Sequence, residues 1–183
     1  MKPKFTKFIV ALMTAVLVIG SASTALAQVQ RKDDKKEQKT KETVAMSQQV
    51  YEKLSEIQEL IEAKDYATAE KQTVDLRGNK KLSDYERAQI WNITAYSYYL
   101  QERYADAIDA YDQVLAQPGL PEALLQSTLK TQSQLYFTQE DYESALVVIR
   151  KLMDIIPEPS ADVYMIEGQA LFQLARYEEA LVP

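Results

Sequence analysis

Residues 82–108 read LSDYERAQIWNITAYSYYLQERYADAI, and the spacing of apolar residues in this stretch decides the fold. Apolar or small side chains recur there every three or four residues, which places them on one face of a helix. A second series with the same spacing follows Tyr104. The first series is Ala88, Trp91, Ala95, Tyr98 and Tyr99, and the second is Ala107, Ile108, Tyr111, Val114 and Leu115. The stretch therefore predicts two helices joined by a turn.

The same pattern recurs along the chain. A polar or charged pair, a Tyr, two further residues and an Ala occur four times, at intervals of 38, 38 and 35 residues. The four segments are KDYATA, ERYADA, EDYESA and ARYEEA, which contain Tyr66, Tyr104, Tyr142 and Tyr177. Prolines at 118, 121, 157 and 159 separate successive hairpins, and Asp84 and Ser160 are suited to cap the helices that follow them. Self-similarity at this period is typical of helical-hairpin repeats.

We therefore predict an all-α solenoid over residues 44–183, with about three and a half repeats. The repeats comprise residues 45–82, 83–120, 121–159 and 160–183. The chain has only four Gly and no run of alternating apolar residues, so strands have no support. Only seven residues run from Tyr177 to Pro183, about half of the equivalent segments, and we expect the natural array to continue beyond Pro183.

These residues resemble the tetratricopeptide repeat family, whose signature has Trp, a large residue, a small residue and an aromatic, and later Ala, an aromatic and Pro. The matching residues are Trp91, Ala95, Tyr98, Ala107 and Tyr111 in the second repeat, Ser133, Tyr136, Ala145 and Pro157 in the third, and Tyr164, Gly168, Leu171 and Ala180 in the fourth. Thr94, Gln132 and Glu167 depart from it, because Leu is usual there. The resemblance implies a right-handed superhelix that binds other proteins.

The first 27 residues have the three parts of a secretory signal. Lys2, Lys4 and Lys7 give a positive start, an apolar run covers 8–19, and the small-residue triplet at 25–27 ends the segment. We expect cleavage between Ala27 and Gln28, so that the protein is exported to the periplasm and has no stable membrane insertion afterwards. A retained anchor is the alternative, but the apolar run is shorter than the roughly 20 residues that span a bilayer.

The charge is unevenly distributed. The whole chain has 21 basic and 27 acidic residues, whereas residues 44–183 have 12 and 23. An array this acidic argues against a nucleic acid partner, because phosphate binding needs clustered Lys and Arg. Residues 28–43 carry six basic and four acidic residues and predict a flexible tether. The tether serves either as a solvated linker or as a basic arm for an anionic surface or partner.

The face of the first helices predicts a binding groove. Equivalent positions in successive repeats stack into ladders along the concave side of a helical solenoid. The three ladders are Tyr99, Phe137 and Phe172; Tyr96, Gln134 and Gln169; and Asn92, Lys130 and Met165. The first ladder forms an aromatic rail, the second offers amides and the third offers one cation. Together these groups suit an extended peptide of a partner protein. The alternative is that the four aromatics of these ladders pack between repeats, whereas we assign Trp91, Tyr98, Tyr111 and Tyr136 to the core.

The amino-acid sequence gives little support for a catalytic function. The chain lacks His and Cys, which excludes Ser-His-Asp and Cys-His nucleophile systems, ordinary zinc sites and disulfides. Asp106, Asp109 and Asp112 lie on one helix stripe, but without the spacing of a calcium loop they indicate a solvated acidic face. We therefore predict a non-enzymatic protein without a cofactor or a metal.

A narrower resemblance concerns the cellular role. The export signal, the tether and the segments at 82–108 and 120–146 look like proteobacterial periplasmic repeat proteins associated with TonB energy-transduction systems. This likeness implies an accessory role that supports the TonB–ExbB–ExbD complex during uptake through outer-membrane receptors. The alternative is a scaffold for another envelope process, such as cell-wall synthesis, division or outer-membrane protein assembly.

Overall fold

The computed structural model describes residues 45–180, and the predicted signal peptide and tether lie outside the described residues. The described part contains helices and no strand, as predicted. The helices are α1 (Gln48–Glu62), α2 (Tyr66–Arg77), α3 (Asp84–Leu100), α4 (Tyr104–Leu115), α5 (Glu122–Thr138), α6 (Tyr142–Ile155), α7 (Ala161–Gln173) and α8 (Tyr177–Ala180). They pair as α1–α2, α3–α4, α5–α6 and α7–α8, and each hairpin packs on the next. The predicted all-α helical-hairpin solenoid is confirmed.

Each second helix begins at the repeated Tyr, and the turn before it has one geometry throughout. The residue two positions before each Tyr has a positive φ of 57–61°, although none of the four is Gly. In the second hairpin, the Glu102 amide donates to the Tyr99 carbonyl (3.0 Å) and the Arg103 amide to the Tyr98 carbonyl (3.0 Å). These two bonds satisfy the carbonyls at the end of the first helix. The four residues are Lys64, Glu102, Glu140 and Ala175.

The second helices cross the first helices closely through small residues. Ala69, Ala107 and Ala145 have no exposed surface, and neither has Ala95 on the facing helix of the second hairpin. The backbones can approach at these points because Ala fills so little space. Larger apolar residues then pack between hairpins, as Leu146, Ile149, Leu152, Val163, Ile166 and Leu171 do between the third and fourth repeats.

The residues at the starts of the helices correct the prediction that Asp84 and Ser160 act as helix caps. Asp84 is the first residue of α3, and the cap is Ser83, whose Oγ accepts from the Glu86 amide (3.2 Å). Glu86 in turn accepts from the Ser83 amide, which completes a capping box that the Ser-x-x-Glu spacing could have predicted. Ser160 does precede α7, but its hydroxyl bonds Asp162 rather than a helix amide.

Glu86 also holds the first two hairpins together. Its Oε1 accepts from the Ser47 amide (2.9 Å) and hydroxyl (2.6 Å), and Ser47 is the residue that precedes α1. Its Oε2 accepts from the Ser83 amide (2.8 Å) and hydroxyl (3.0 Å). Burial works to raise the pKa of Glu86, but these hydrogen bonds outweigh it and lower the pKa to about 2. One carboxylate thus joins the starts of α1 and α3.

We expect Glu86→Gln to destabilise the array at neutral pH by on the order of 1–3 kcal/mol, because an amide cannot accept all four hydrogen bonds. The carboxylate of the folded protein has a pKa of about 2, below its ordinary value of 4.5. Its contribution is therefore complete above pH 4.5 and is lost as the pH falls towards 2. Urea unfolding followed by circular dichroism should show the two proteins converging over that range.

The matched control is Glu122→Gln, which alters an exposed carboxylate in the first turn of α5. A similar loss in the control, or a Glu86→Gln deficit that persists unchanged to pH 2, would contradict the assignment.

Candidate peptide-binding groove

The aromatic rail of Tyr99, Phe137 and Phe172 is built into the hairpin turns. Each ring lies near the end of a first helix and packs against the Tyr that begins the second helix. The ring centroids are 6.1 Å apart for Tyr99 and Tyr104, 5.0 Å for Phe137 and Tyr142, and 5.5 Å for Phe172 and Tyr177. Tyr99 and Phe137 are half-buried, whereas Phe172 is 63% exposed. The rail is therefore held in place and still accessible from one side.

The amide ladder is less uniform. Tyr96 packs against Ile57, Ile61 and Ala69, so its ring belongs in large part to the contact between the first and second repeats. Gln134 is half-buried, and Gln169 is exposed. The structure thus supports the packing alternative for most of the Tyr96 ring and leaves the two amides at the surface.

The single cation of the third ladder is already paired. The Lys130 ammonium on α5 contacts the Asp162 carboxylate at the start of α7, which links two first helices. Burial lowers the pKa of Lys130. Asn92 is half-buried and Met165 is 57% exposed. This ladder therefore offers a neutral surface rather than a site for a partner's carboxylate.

Arginines cover two of the aromatics that we assigned to the core. Tyr111 is buried, as predicted, whereas Trp91, Tyr98 and Tyr136 are only half-buried. The Arg77 guanidinium lies 4.0 Å from the Trp91 ring centroid, and that of Arg103 lies 4.1 Å from the Tyr98 ring centroid. A guanidinium over a ring shields its face and leaves the edge in water, which explains the incomplete burial.

Arg103 also bridges two helices. Its guanidinium contacts Glu70 on α2 (3.2 Å) and Asp106 on α4 (2.6 Å), and the Tyr98 hydroxyl donates to Glu70 (2.9 Å). One pattern in the sequence indicates this role, although we did not predict Arg103 from it. The residue before the repeated Tyr alternates in the order Asp65, Arg103, Asp141, Arg176.

The acidic stripe does not form a cation site. Asp106 is paired with Arg103, and Asp112 accepts from the Gln132 amide (2.6 Å). Over residues 45–180, no group of three Asp or Glu side chains is arranged to hold a metal ion. The same part of the chain has no helix with the length and apolar character required to cross a bilayer.

Comparisons with known proteins bear on these repeats. A family model described as tetratricopeptide repeat matches residues 54–121, and one described as anaphase-promoting complex, cyclosome, subunit 3, matches residues 101–182. Neither description names an enzyme. A search of curated proteins found no match. Among solved structures, the chain is similar to the crystal structure of MamA protein, with a TM-score of 0.57 and 16% identity over 72% of this chain and 67% of that one. At that identity the likeness shows the fold alone.

We expect Arg103→Ala to lower the free energy of unfolding by about 1–2 kcal/mol, because it removes the contact with Tyr98 and two carboxylate contacts. The matched control is Arg87→Ala, which removes one contact with Asp84 on the same helix (3.0 Å) and should cost about 0.5 kcal/mol or less. Thermal unfolding of the two variants measures the difference. Equal losses would show that Arg103 is an ordinary surface arginine.

Proposed function

We propose that the protein, whose described residues fold as a tetratricopeptide-type helical solenoid, is a non-catalytic scaffold that binds an extended peptide of another protein. The observation that carries this proposal is the aromatic rail of Tyr99, Phe137 and Phe172. Three rings at equivalent positions are each held by a Tyr of the next helix. Such repetition gives a line of similar ring surfaces, which matches the repetitive side-chain spacing of an extended chain.

The chemistry of the groove favours an apolar peptide with few acidic residues. The rail offers ring faces to apolar side chains, and Gln134 and Gln169 have amides that can pair with a peptide backbone. The ion pair of Lys130 with Asp162 leaves little attraction for a partner's carboxylate. The surrounding array is acidic, with 12 basic and 23 acidic residues, and would repel an acidic ligand at long range.

We further propose that this scaffold works in the periplasm as an accessory component of TonB-dependent transport. The signal-like pattern of residues 1–27 supports export, and the likeness of residues 82–108 and 120–146 to TonB-associated periplasmic repeat proteins supports the role. A scaffold suits this task because it joins proteins without chemistry of its own.

Affinity capture from envelope extracts of the source bacterium tests the binding and the role together. The tagged protein should recover a TonB-complex component or an outer-membrane receptor, and the recovered bait should begin at Gln28. The double variant Tyr99→Ala with Phe137→Ala should recover at least about tenfold less of that partner, since buried aromatics contribute most of the energy at such interfaces.

The control for the rail is Tyr85→Ala with Tyr164→Ala, which removes two rings that belong to none of the three ladders. All variants should keep their helical circular dichroism. Recovery of partners from cell-wall synthesis or division instead would contradict the TonB role, and full capture by the folded rail variant would contradict the groove.

A further inference from the structure

An arginine bridge joins the first repeat to the second, and a similar bridge joins the third to the fourth. Arg103 contacts Glu70 of the preceding second helix and Asp106 of its own helix. Arg176 makes similar contacts with Glu143 (3.5 Å) and Glu179 (2.6 Å). Arg176 and Glu179 occupy the positions of Arg103 and Asp106 two repeats later, whereas Glu143 lies one turn earlier on its helix than the position of Glu70.

A second arginine accompanies each bridge. Arg77 donates to the Thr94 hydroxyl (3.0 Å) across the first junction. Arg150, one turn earlier on its helix than the position of Arg77, contacts Glu167 (2.8 Å) and Glu179 (3.2 Å) across the last junction. Two of the three junctions between repeats are thus held by a pair of arginines.

The middle junction, between the second and third repeats, has neither arginine. Asp141 stands in the place of Arg103, Ile108 in the place of Glu70, and Leu115 in the place of Arg77. Burial raises the pKa of Tyr136 here, and the carboxylates of Asp112, Asp141 and Asp109 raise it further. No Lys or Arg of the described residues forms an ion pair with any of the three, and Asp112 instead accepts a neutral hydrogen bond from the Gln132 amide across this junction (2.6 Å).

The first helices also separate at this junction. In the described chain, no Cα atom of α3 lies within 8 Å of one in α5, whereas α1 contacts α3 and α5 contacts α7. Specific polar contacts reinforce the two close pairs. Ser47 and Glu86 join α1 to α3, and Lys130 and Asp162 join α5 to α7.

Two buried hydroxyls lack partners on the helices that pack across the middle junction. Tyr111 on α4 is 1% exposed and Thr128 on α5 is 2% exposed, and neither hydroxyl has a hydrogen-bond partner among the described residues. A buried polar group without a partner destabilises the packed state, and water can satisfy it once the helices part. An apolar cluster fills the last junction, and Leu115 of α4 packs against it from the second repeat.

We propose that the array bends at the middle junction, between a block of residues 48–115 and a block of residues 122–180. The connection between them is the loop 116–121, in which Gly119 has a φ of 66°. Asn92, Tyr96 and Tyr99 lie on one block, and the other six ladder residues lie on the second. Bending therefore sets the width of the ladder face without breaking either block. This inference concerns the free protein and does not depend on the proposed function.

Distances between two spin labels test the bend. Because the chain has no Cys, labels attach only at the introduced Cys residues. Asp75, Gln113 and Lys151 are exposed and occupy equivalent positions on α2, α4 and α6. The pair Gln113→Cys with Lys151→Cys spans the middle junction, and Asp75→Cys with Gln113→Cys spans the first junction as the matched control. Pulsed electron paramagnetic resonance should give a distance distribution about twice as wide across the middle junction. Equal widths would overturn the proposal.

A transplanted bridge tests the cause. Adding Asp141→Arg and Ser144→Asp copies the Arg103–Asp106 pair and places a guanidinium among the carboxylates near Tyr136. We expect the Gln113–Lys151 distribution to narrow to the width found across the first junction. Asp141→Asn, added instead of the bridge, removes only one negative charge, so it should narrow the Gln113–Lys151 distance distribution less. A distribution that stays equally wide with the bridge would contradict the role assigned to the missing arginine.

Discussion

The rest of the structure depends on a tight hairpin turn that places one residue in the left-handed backbone conformation. That conformation costs an L-residue roughly 1–2 kcal/mol, yet four of the described residues other than Gly adopt it. The two backbone hydrogen bonds of the turn offset this cost, and in three of the four hairpins a contact between two aromatic rings adds to them. Because every turn is the same, every hairpin has the same offset between its helices, and equivalent side chains fall into ladders.

The contacts between hairpins are individual, in contrast to the uniform turns within them. Glu86 joins the starts of α1 and α3, and arginines tie the first and last junctions. Apolar packing supplies most of the stability of such an array, while charges decide which neighbours are held firmly. The acidic middle junction fits this division, because the stiffness of a solenoid can vary locally only where the contacts between repeats differ.

The repeat period was enough to predict the helices and their starts at Tyr66, Tyr104, Tyr142 and Tyr177, because apolar spacing reflects burial directly. Turn geometry was not predictable, since Lys64 and Glu140 carry no Gly signal for a positive φ. For a related reason, the assignment of Trp91 and Tyr98 to the core holds only in part, since both are half-buried. Apolar spacing says which face a ring occupies and nothing about an arginine from another helix that covers it. The groove, the export and the TonB role remain predictions.

The most direct measurement is site-specific photo-cross-linking in living cells, with a benzophenone amino acid in place of Phe137. That position lies at the centre of the aromatic rail, and its ring is partly accessible. We expect one discrete adduct with a partner polypeptide after illumination, and none when the same group replaces Tyr85. Adducts at Tyr85 with none at Phe137 would contradict the account of this protein as a scaffold that binds along the rail.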